Sequence, residues 1–442
     1  MRLRSVFMPF RLRPHPVAVH MACVAAVLAG AWWWHLNRAP VVNLPPVILP
    51  SPNGYTRLAA AARLLVRPDD IKDAVSKPGK DASGRTRKVF TDAQKAELAA
   101  ANRPALDAAY QALGLGIEVP TKSSFWDDTS DEKRLRQLAR AYVLTGKVYE
   151  TRGNFERAGE LYQAAIREGI ELSDGPVITR LVGISCESLG RRSLLDLADR
   201  ISLDQAKEEI LRLDCWSFQR PGLDKTFAAE KRDTQAGLAD VYARWNVLEA
   251  PWYLKIISQD KHDVLRPWQE QAKVCASLLT VSKQDVLKAN ARYMDAMTTW
   301  SNLPRPFDVP APAVPSDPMN GLFASGYENV VHRDLDNRTG TALLLVKLAL
   351  RAYYLSRGTY PATTYQLERE GFLYEDPADP FAPTYGNPFH YRKTKTGYLL
   401  YSVGPDGKDD GGRPINNRYA DGTYKPWMER DSKGDVVLGV NL

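Results

Sequence analysis

The hydrophobic pattern divides the chain into stretches of different character. Residues 16–36, "PVAVHMACVAAVLAGAWWWHL", are apolar almost without a break and leave no face for water. About 20 such residues match the hydrocarbon thickness of a bilayer, which predicts a transmembrane helix. Between residues 55 and 300 the pattern changes to apolar positions recurring every third and fourth residue, the period of helices that bury one face. The segment "RLRQLARAYVLTGKVYETRGNFERAGELYQAAIREGIEL", residues 134–172, shows this period most clearly. Leu135, Leu138, Ala139, Tyr142, Gly146 and Tyr149 share one face, Gly153-Asn154 interrupts, and Phe155, Ala158, Tyr162 and Ala165 continue on a second helix. Residues 181–198, "LVGISCESLGRRSLLDLA", repeat the pattern in a weaker form with Gly183 and Gly190. Further helices are predicted in "YTRLAAAARLLV", "SLDQAKEEILRL", "DKTFAAEKRDTQAGLADVYARW" and "SKQDVLKANARYMDAMTTW". Thr91 and Gln94 have the spacing of a capping box, and Pro104 ends that helix and begins another. Residues 67–87 are charged and aperiodic, which predicts a loop.

Two proline-rich stretches punctuate the chain. Residues 38–54, "RAPVVNLPPVILPSPNG", predict a stiff extended spacer. Residues 303–318, "LPRPFDVPAPAVPSDP", mark an internal boundary, because helix cannot run through them. Beyond it, residues 339–358 predict an apolar helix capped by Gly358, with Lys347 and Arg351 on one polar side. "FHYRK" and "GYLLYSV" then predict two short strands joined by "TKTG" as a hairpin. The expected fold class is mainly α: a helical bundle with a repeat-like helix pair, followed by a small α+β module, behind one N-terminal transmembrane helix. The expected segments are a basic tail 1–15, the span 16–36, a spacer 37–54, a helical domain 55–300, a linker 301–320 and the α+β module 321–442.

Charge adds an orientation. The net charge is +7, and Arg2, Arg4, Arg11 and Arg13 supply four of those units. Basic residues before a span predict a cytoplasmic N-terminus, with the bulk of the chain beyond the bacterial inner membrane. Trp32, Trp33 and Trp34 fit the far interface. A cleaved signal peptide is the alternative, since "VLA" and "AGA" offer small residues to a peptidase, but the three tryptophans favour a retained anchor. The remaining charge is mixed in sign, without a basic stripe, and nucleic acid is not an expected partner. Of the four cysteines, Cys23 lies in the span. Cys186, Cys215 and Cys275 lack metal or redox spacing and are expected as buried small hydrophobes, with one disulfide as the alternative.

The helix pair at 134–172 resembles one tetratricopeptide repeat. Tyr142, Gly146, Tyr149, Gly153, Phe155, Ala158, Tyr162 and Ala165 fall where that repeat places its aromatic and small residues, while Thr145 and Ile170 depart from its usual Leu and Pro. Small residues let two helices approach and aromatics fill the gap beside them. The resemblance implies protein partners through the helical domain; a helical bundle containing one such pair is the plainer reading.

A second resemblance lies near the C-terminus. The order Gly358-Thr359-Tyr360-Pro361, Asp379-Pro380-Phe381, Gly386-Asn387-Pro388-Phe389-His390-Tyr391 and Tyr401-Ser402-Val403-Gly404-Pro405-Asp406-Gly407 resembles the C-terminal half of the major pseudopilin of type II secretion systems. It covers residues 339–412. The whole chain also resembles a class of membrane-anchored bacterial proteins that end in this module. The chain lacks a prepilin-peptidase signature in "FRLRPHP" before Val17, residues 37–338 separate the span from the matching helix, and "APTY" is inserted before Gly386. Processing by a prepilin peptidase and assembly into a pseudopilus through that helix are therefore not expected. The resemblance implies calcium at the loop after the second strand, with Asp406 matching a family aspartate, Asp409 and Asp410 replacing Glu or Gly, and Asp421 the nearest counterpart of a later one. Calcium takes about 6–8 oxygens, and Asp406, Asp409 and Asp410 supply only part of such a set. The alternative is that Asp406 and Asp409 cap their own turns.

No motif names a reaction. His262, His332 and His390 have no zinc spacing, and there is no nucleophile elbow or phosphate loop. Ser185 and Cys186 sit at core positions of a helix. Trp126, Asp127 and Asp128 offer a carbohydrate-like aromatic and carboxylate pair, or simply acidic residues at a helix start. The expected role is non-enzymatic interaction or assembly in the bacterial envelope, linked to a secretion or pilin-like system. The competing class is an envelope enzyme whose site is built from dispersed residues.

Overall fold

The computed structural model describes residues 16–44, 47–81, 84–122, 130–244, 280–324, 326–416 and 428–441. The helices are α1 (Pro16–Asn37), α2 (Gly54–Arg63), α3 (Pro68–Val75), α4 (Asp92–Ala101), α5 (Arg103–Ala112), α6 (Ser130–Thr151), α7 (Phe155–Leu172) and α8 (Val177–Leu197). They continue with α9 (Leu203–Phe218), α10 (Leu223–Arg244), α11 (Lys283–Ser301), α12 (Pro318–Phe323), α13 (Tyr327–Arg357) and α14 (Tyr365–Arg369). Three strands follow: β1 (His390–Lys393), β2 (Tyr398–Ser402) and β3 (Val436–Val437). The fold is mainly helical with one small sheet.

Helix α1 stands apart. Val17, Met21, Val24, Val27, Leu28 and the three tryptophans are exposed along it, and Val19–Leu36 is apolar enough to cross a membrane. At its end the chain docks: Leu36, in the last turn, is buried, and beyond the helix the backbone of Val41 exchanges hydrogen bonds with the Gln284 side chain of α11. The start of the predicted spacer therefore lies against the helical body.

The expected helix pair is present. Helix α6 folds back through residues 152–154 into α7, where Asn154 caps α7 by accepting from the Arg157 N–H. A Cβ at Gly146 would enter the Tyr162 ring, and Ala158 is fully buried. Helix α8 comes equally close to α7. A Cβ at Gly183 would lie 2.5 Å from the Gly169 carbonyl oxygen, and one at Gly190 would meet the Tyr162 carbonyl. Glycines seat the Tyr162 ring against α6 and bring the backbones of α7 and α8 together. The Thr91–Gln94 capping box and the break at Pro104 also form as expected. The loop expected at 67–87 instead contains α3, for which Pro68 at the first turn, Asp69 and Asp70 near the helix N-terminus and fully buried Ile71 give the physical reason.

Helix α13 is the central element, and it is longer than the pattern predicted. It begins at Tyr327 and ends, as expected, at Gly358, whose left-handed φ of 69° closes the last turn. It packs on α8 and α9 on one side and on β2 on another. β1 and β2 form the expected antiparallel hairpin, with His390 opposite Tyr401 and Thr394 bonded to Gly397 across the turn. β3 joins β2 antiparallel, an element too short to show in the pattern. The proline-rich stretch is irregular, yet it does not separate two cores. Phe307 packs edge-on against Trp300, and the Trp300 Nε1–H donates to the Val309 carbonyl. One continuous core joins Tyr162 and Ile166 of α7, Leu194 of α8, Leu213 of α9 and Leu348 of α13 to Leu400 and Val436 of the sheet.

Candidate functional site

The aspartate loop leaves β2 under tight control. Buried Asp379 accepts from Ser402 Oγ at 2.7 Å, from the Val403 N–H at 3.0 Å and from the Phe381 N–H at 2.9 Å, tying the strand end to the preceding segment. Burial raises the Asp379 carboxyl, and these donors oppose the rise. Asp406 accepts from the Lys408 N–H, closing a turn two residues long. Asp409 accepts from the Gly411 N–H at 2.8 Å and from Tyr401 Oη at 2.9 Å. The Gly411 bond, more than any other partner, lowers its carboxyl. His390 stacks on Tyr401 and brings its Nδ1 to 3.4 Å from the other Asp409 oxygen. Asp410 pairs with Arg413 at 2.7 Å.

The structure thus gives Asp406, Asp409 and Asp410 three separate partners instead of one common point. Among the described residues no group of three or more His, Cys, Asp or Glu side chains could share a metal ion. Asp421 lies outside the described residues. The loop is instead closed by Asp435, which sequence reasoning missed. Its buried carboxylate accepts from the Asp410 N–H at 3.2 Å and the Gly412 N–H at 2.6 Å, and its backbone bridges to Arg413 and Ile415. Replacing Asp435 with alanine removes the acceptor for two N–H groups and should cost about 1–3 kcal/mol. Denaturant unfolding measures the cost, and faster amide exchange at 410–412 locates it. Melting with calcium and with chelator checks the geometry, which predicts equal melting temperatures; a rise with calcium would mean that other oxygens complete a site.

A second polar constellation joins α8 to α13, buried apart from Arg338 at its edge. Arg180 donates through Nε and Nη2 to Asp334 Oδ1 at 3.0 and 2.7 Å, and through Nη1 to Thr226 Oγ1 and the Ser173 carbonyl, both at 2.9 Å. Arg338 Nε lies 2.7 Å from the other Asp334 oxygen. Two helical turns further along α8, Glu187 accepts from both Nη atoms of Arg220, from Asn337 Nδ2 at 2.6 Å and from Thr341 Oγ1 at 2.5 Å. Arg191 donates to the carbonyl and side-chain oxygens of Asn337. Burial alone would push the carboxyls of Glu187 and Asp334 up. For Glu187 the arginines Arg220 and Arg191, and for Asp334 the arginines Arg180, Arg338 and Arg220, outweigh burial and hold the carboxyl down. The neighbouring Asp336 has weaker help, and burial raises it to about 6. Every partner here is internal, so the network fixes how α13 sits on α8.

A small, partly open recess of about 120 Å³ lies between the end of α7 and the end of α9. Arg167 stacks over Trp216 there, and its Nε donates to Glu171, which also accepts from the Gly114 N–H. Its volume falls below the ~300 Å³ of ordinary ligand pockets. Among sequence-predicted candidates, Cys186 is buried and its thiol pushed well up by burial, the opposite of a nucleophile. Cys215 is exposed, contrary to expectation, because it sits on the outer face of α9. His332 is buried, with Nε2 3.1 Å from the Met428 carbonyl, and burial lowers its pKa. Trp126, Asp127, Asp128, His262 and Cys275 lie outside the described residues.

Buried acids set a pH dependence. Neither oxygen of Glu168 meets a donor among the described residues, and burial raises its carboxyl well above the usual range. Burial raises Glu209 and Asp233 to about 7 each. A carboxyl raised in the folded state holds its proton more tightly there than in the unfolded chain. The stability it contributes is present below about pH 4 and lost as pH rises through the folded value. Stability should therefore fall between about pH 4 and 7 from these groups. Replacing Glu209 with glutamine should flatten that fall, as read by melting at a series of pH values.

Comparison with protein families, curated proteins and solved structures returned no significant match for this chain.

Proposed function

We propose that the chain is a membrane-anchored, extracytoplasmic protein of the bacterial envelope with a non-enzymatic role in interaction or assembly. Helix α1 carries the reading. It presents valines, leucine and three tryptophans to its surroundings, whereas the other long helices bury their apolar faces. Such an exposed apolar helix is at rest in a bilayer. The arginines before it orient the body outward. The C-terminal module is read as pseudopilin-like. An antiparallel hairpin packed on the second half of a long apolar helix, pinned by Asp379 to Ser402 and Val403, supports that reading.

The test is affinity capture of the full chain from solubilised native membranes, paired with activity assays on the purified chain. Specific recovery of envelope or secretion proteins is the expected result. Hydrolytic turnover that survives purification and is lost on point substitution would replace the reading with an enzyme.

A further inference from the structure

The outer face of α9 departs from the pattern of the other helices of the body. Its inner face, Ala206, Ile210 and Leu213, is buried in the central core. Its outer face aligns Leu211, Cys215 and Phe218 one turn apart, with Leu211 72% and Phe218 92% exposed. A phenylalanine left almost wholly in water costs solubility without aiding the fold. Asp214 lies on the same side, and Glu375, in the bend after α14, is near enough for its charge to act on it. Burial, then the Glu375 charge, raises the Asp214 carboxyl. Among the described residues neither acid has an ion-pair partner. Tyr374, beside Glu375, is 90% exposed. Asp204 and Glu208 extend the acidic character along the helix, against Lys207 and an Arg212 already paired with Glu208.

We propose that this face, formed by Leu211, Asp214, Phe218, Tyr374 and Glu375, docks an amphipathic basic helix of a partner protein. The aromatics and Leu211 would take its apolar anchors, and the two unpaired carboxylates would take its lysines or arginines. Charge complementarity selects this occupant. A second copy would bring Asp214 and Glu375 against themselves or apolar neighbours, and an anionic lipid surface would be repelled. The proposal rests on reading the chain as an interaction protein and names the surface and the partner's chemistry.

The test uses the full chain in neutral detergent and a fluorescent amphipathic peptide of Leu and Lys, about four helical turns long. Anisotropy should show saturable binding that weakens with salt. Phe218→Ser and the double change Asp214→Asn with Glu375→Gln should each raise Kd at least about tenfold, with melting unchanged. The same peptide with Glu for Lys should not bind. Peptide adsorbed to micelles cancels in the comparison with the variants. Equal Kd for parent and variants, or equal binding of the acidic peptide, would overturn the proposal. So would a concentration-dependent dimer in sedimentation that Phe218→Asp abolishes. None of these outcomes bears on membrane anchoring or turnover, so failure of the surface is distinct from failure of the proposed function.

Discussion

Replacing Asp334 with alanine should destabilise the folded chain by about 3–5 kcal/mol, the cost of leaving a buried charge without its partner. Arg180 is fully buried, and its Nε and Nη2 both donate to Asp334. Thr226 and the carbonyls of Ser173, Gly222 and Pro221 accept from Nη1 and Nη2, but none of them neutralises the charge. Arg338 would lose the same partner. Removing Arg180 together with Asp334, as Arg180→Met with Asp334→Leu, should recover much of the loss, because the unpaired charge goes with it. Denaturant unfolding of the single and double variants measures both effects. A loss under about 1 kcal/mol for Asp334→Ala would place the pair in solvent and contradict the packing of α13 on α8.

Gly190→Leu should cost about 3 kcal/mol, the upper end of overpacking in a closed core. Even a methyl at this position meets the Tyr162 carbonyl, the Ile166 Cγ1 at 2.9 Å and the Ile166 backbone nitrogen at 3.0 Å. The backbone atoms cannot rotate aside as a long side chain would, so α7 and α8 must part. Gly397→Ala in the hairpin turn has open space around it and should change stability by less than about 0.5 kcal/mol. Unfolding curves of the two variants separate a true helix contact from a general intolerance of glycine replacement.

The parts of the fold that rest on local spacing were legible. The α6–α7 pair could be read because Gly146, Ala158 and Tyr162 repeat at helical intervals. The hairpin could be read because β1 and β2 are adjacent and joined by four residues. The first third of α13 was hidden, since "YENVVHRDLDNR" reads as a solvated surface. It is buried because Asp334 and Asn337 find their partners on α8, more than 140 positions earlier in the chain. A lone pattern cannot show that Arg180, in a run that looks like an ordinary helix, has the largest fully buried side chain among the described residues. The same holds for the loop. Its self-capping aspartates were one of the two readings open from spacing alone, but Asp435, which closes it, lies some twenty residues on with no local signal.

These contacts make the body one unit. The network on α8 and the sheet at its other end both grip α13, so the C-terminal sheet and the helical region share a core. On the proposed reading, α1 tethers this body to the membrane, with the outer face of α9 turned away from the central core. The two cysteines that the structure describes in that body differ sharply: Cys215 is exposed and Cys186 is buried.

That difference permits the most direct test of the proposed placement. Spheroplasts overproducing a Cys275→Ser chain are treated with a membrane-impermeant maleimide, and their membranes are then washed at alkaline pH. The account predicts that Cys215 is labelled in intact spheroplasts, that Cys186 reacts only after unfolding, and that the chain stays in the washed membrane. Labelling of Cys215 only after the membrane is permeabilised, or release of the chain by the alkaline wash, would contradict it.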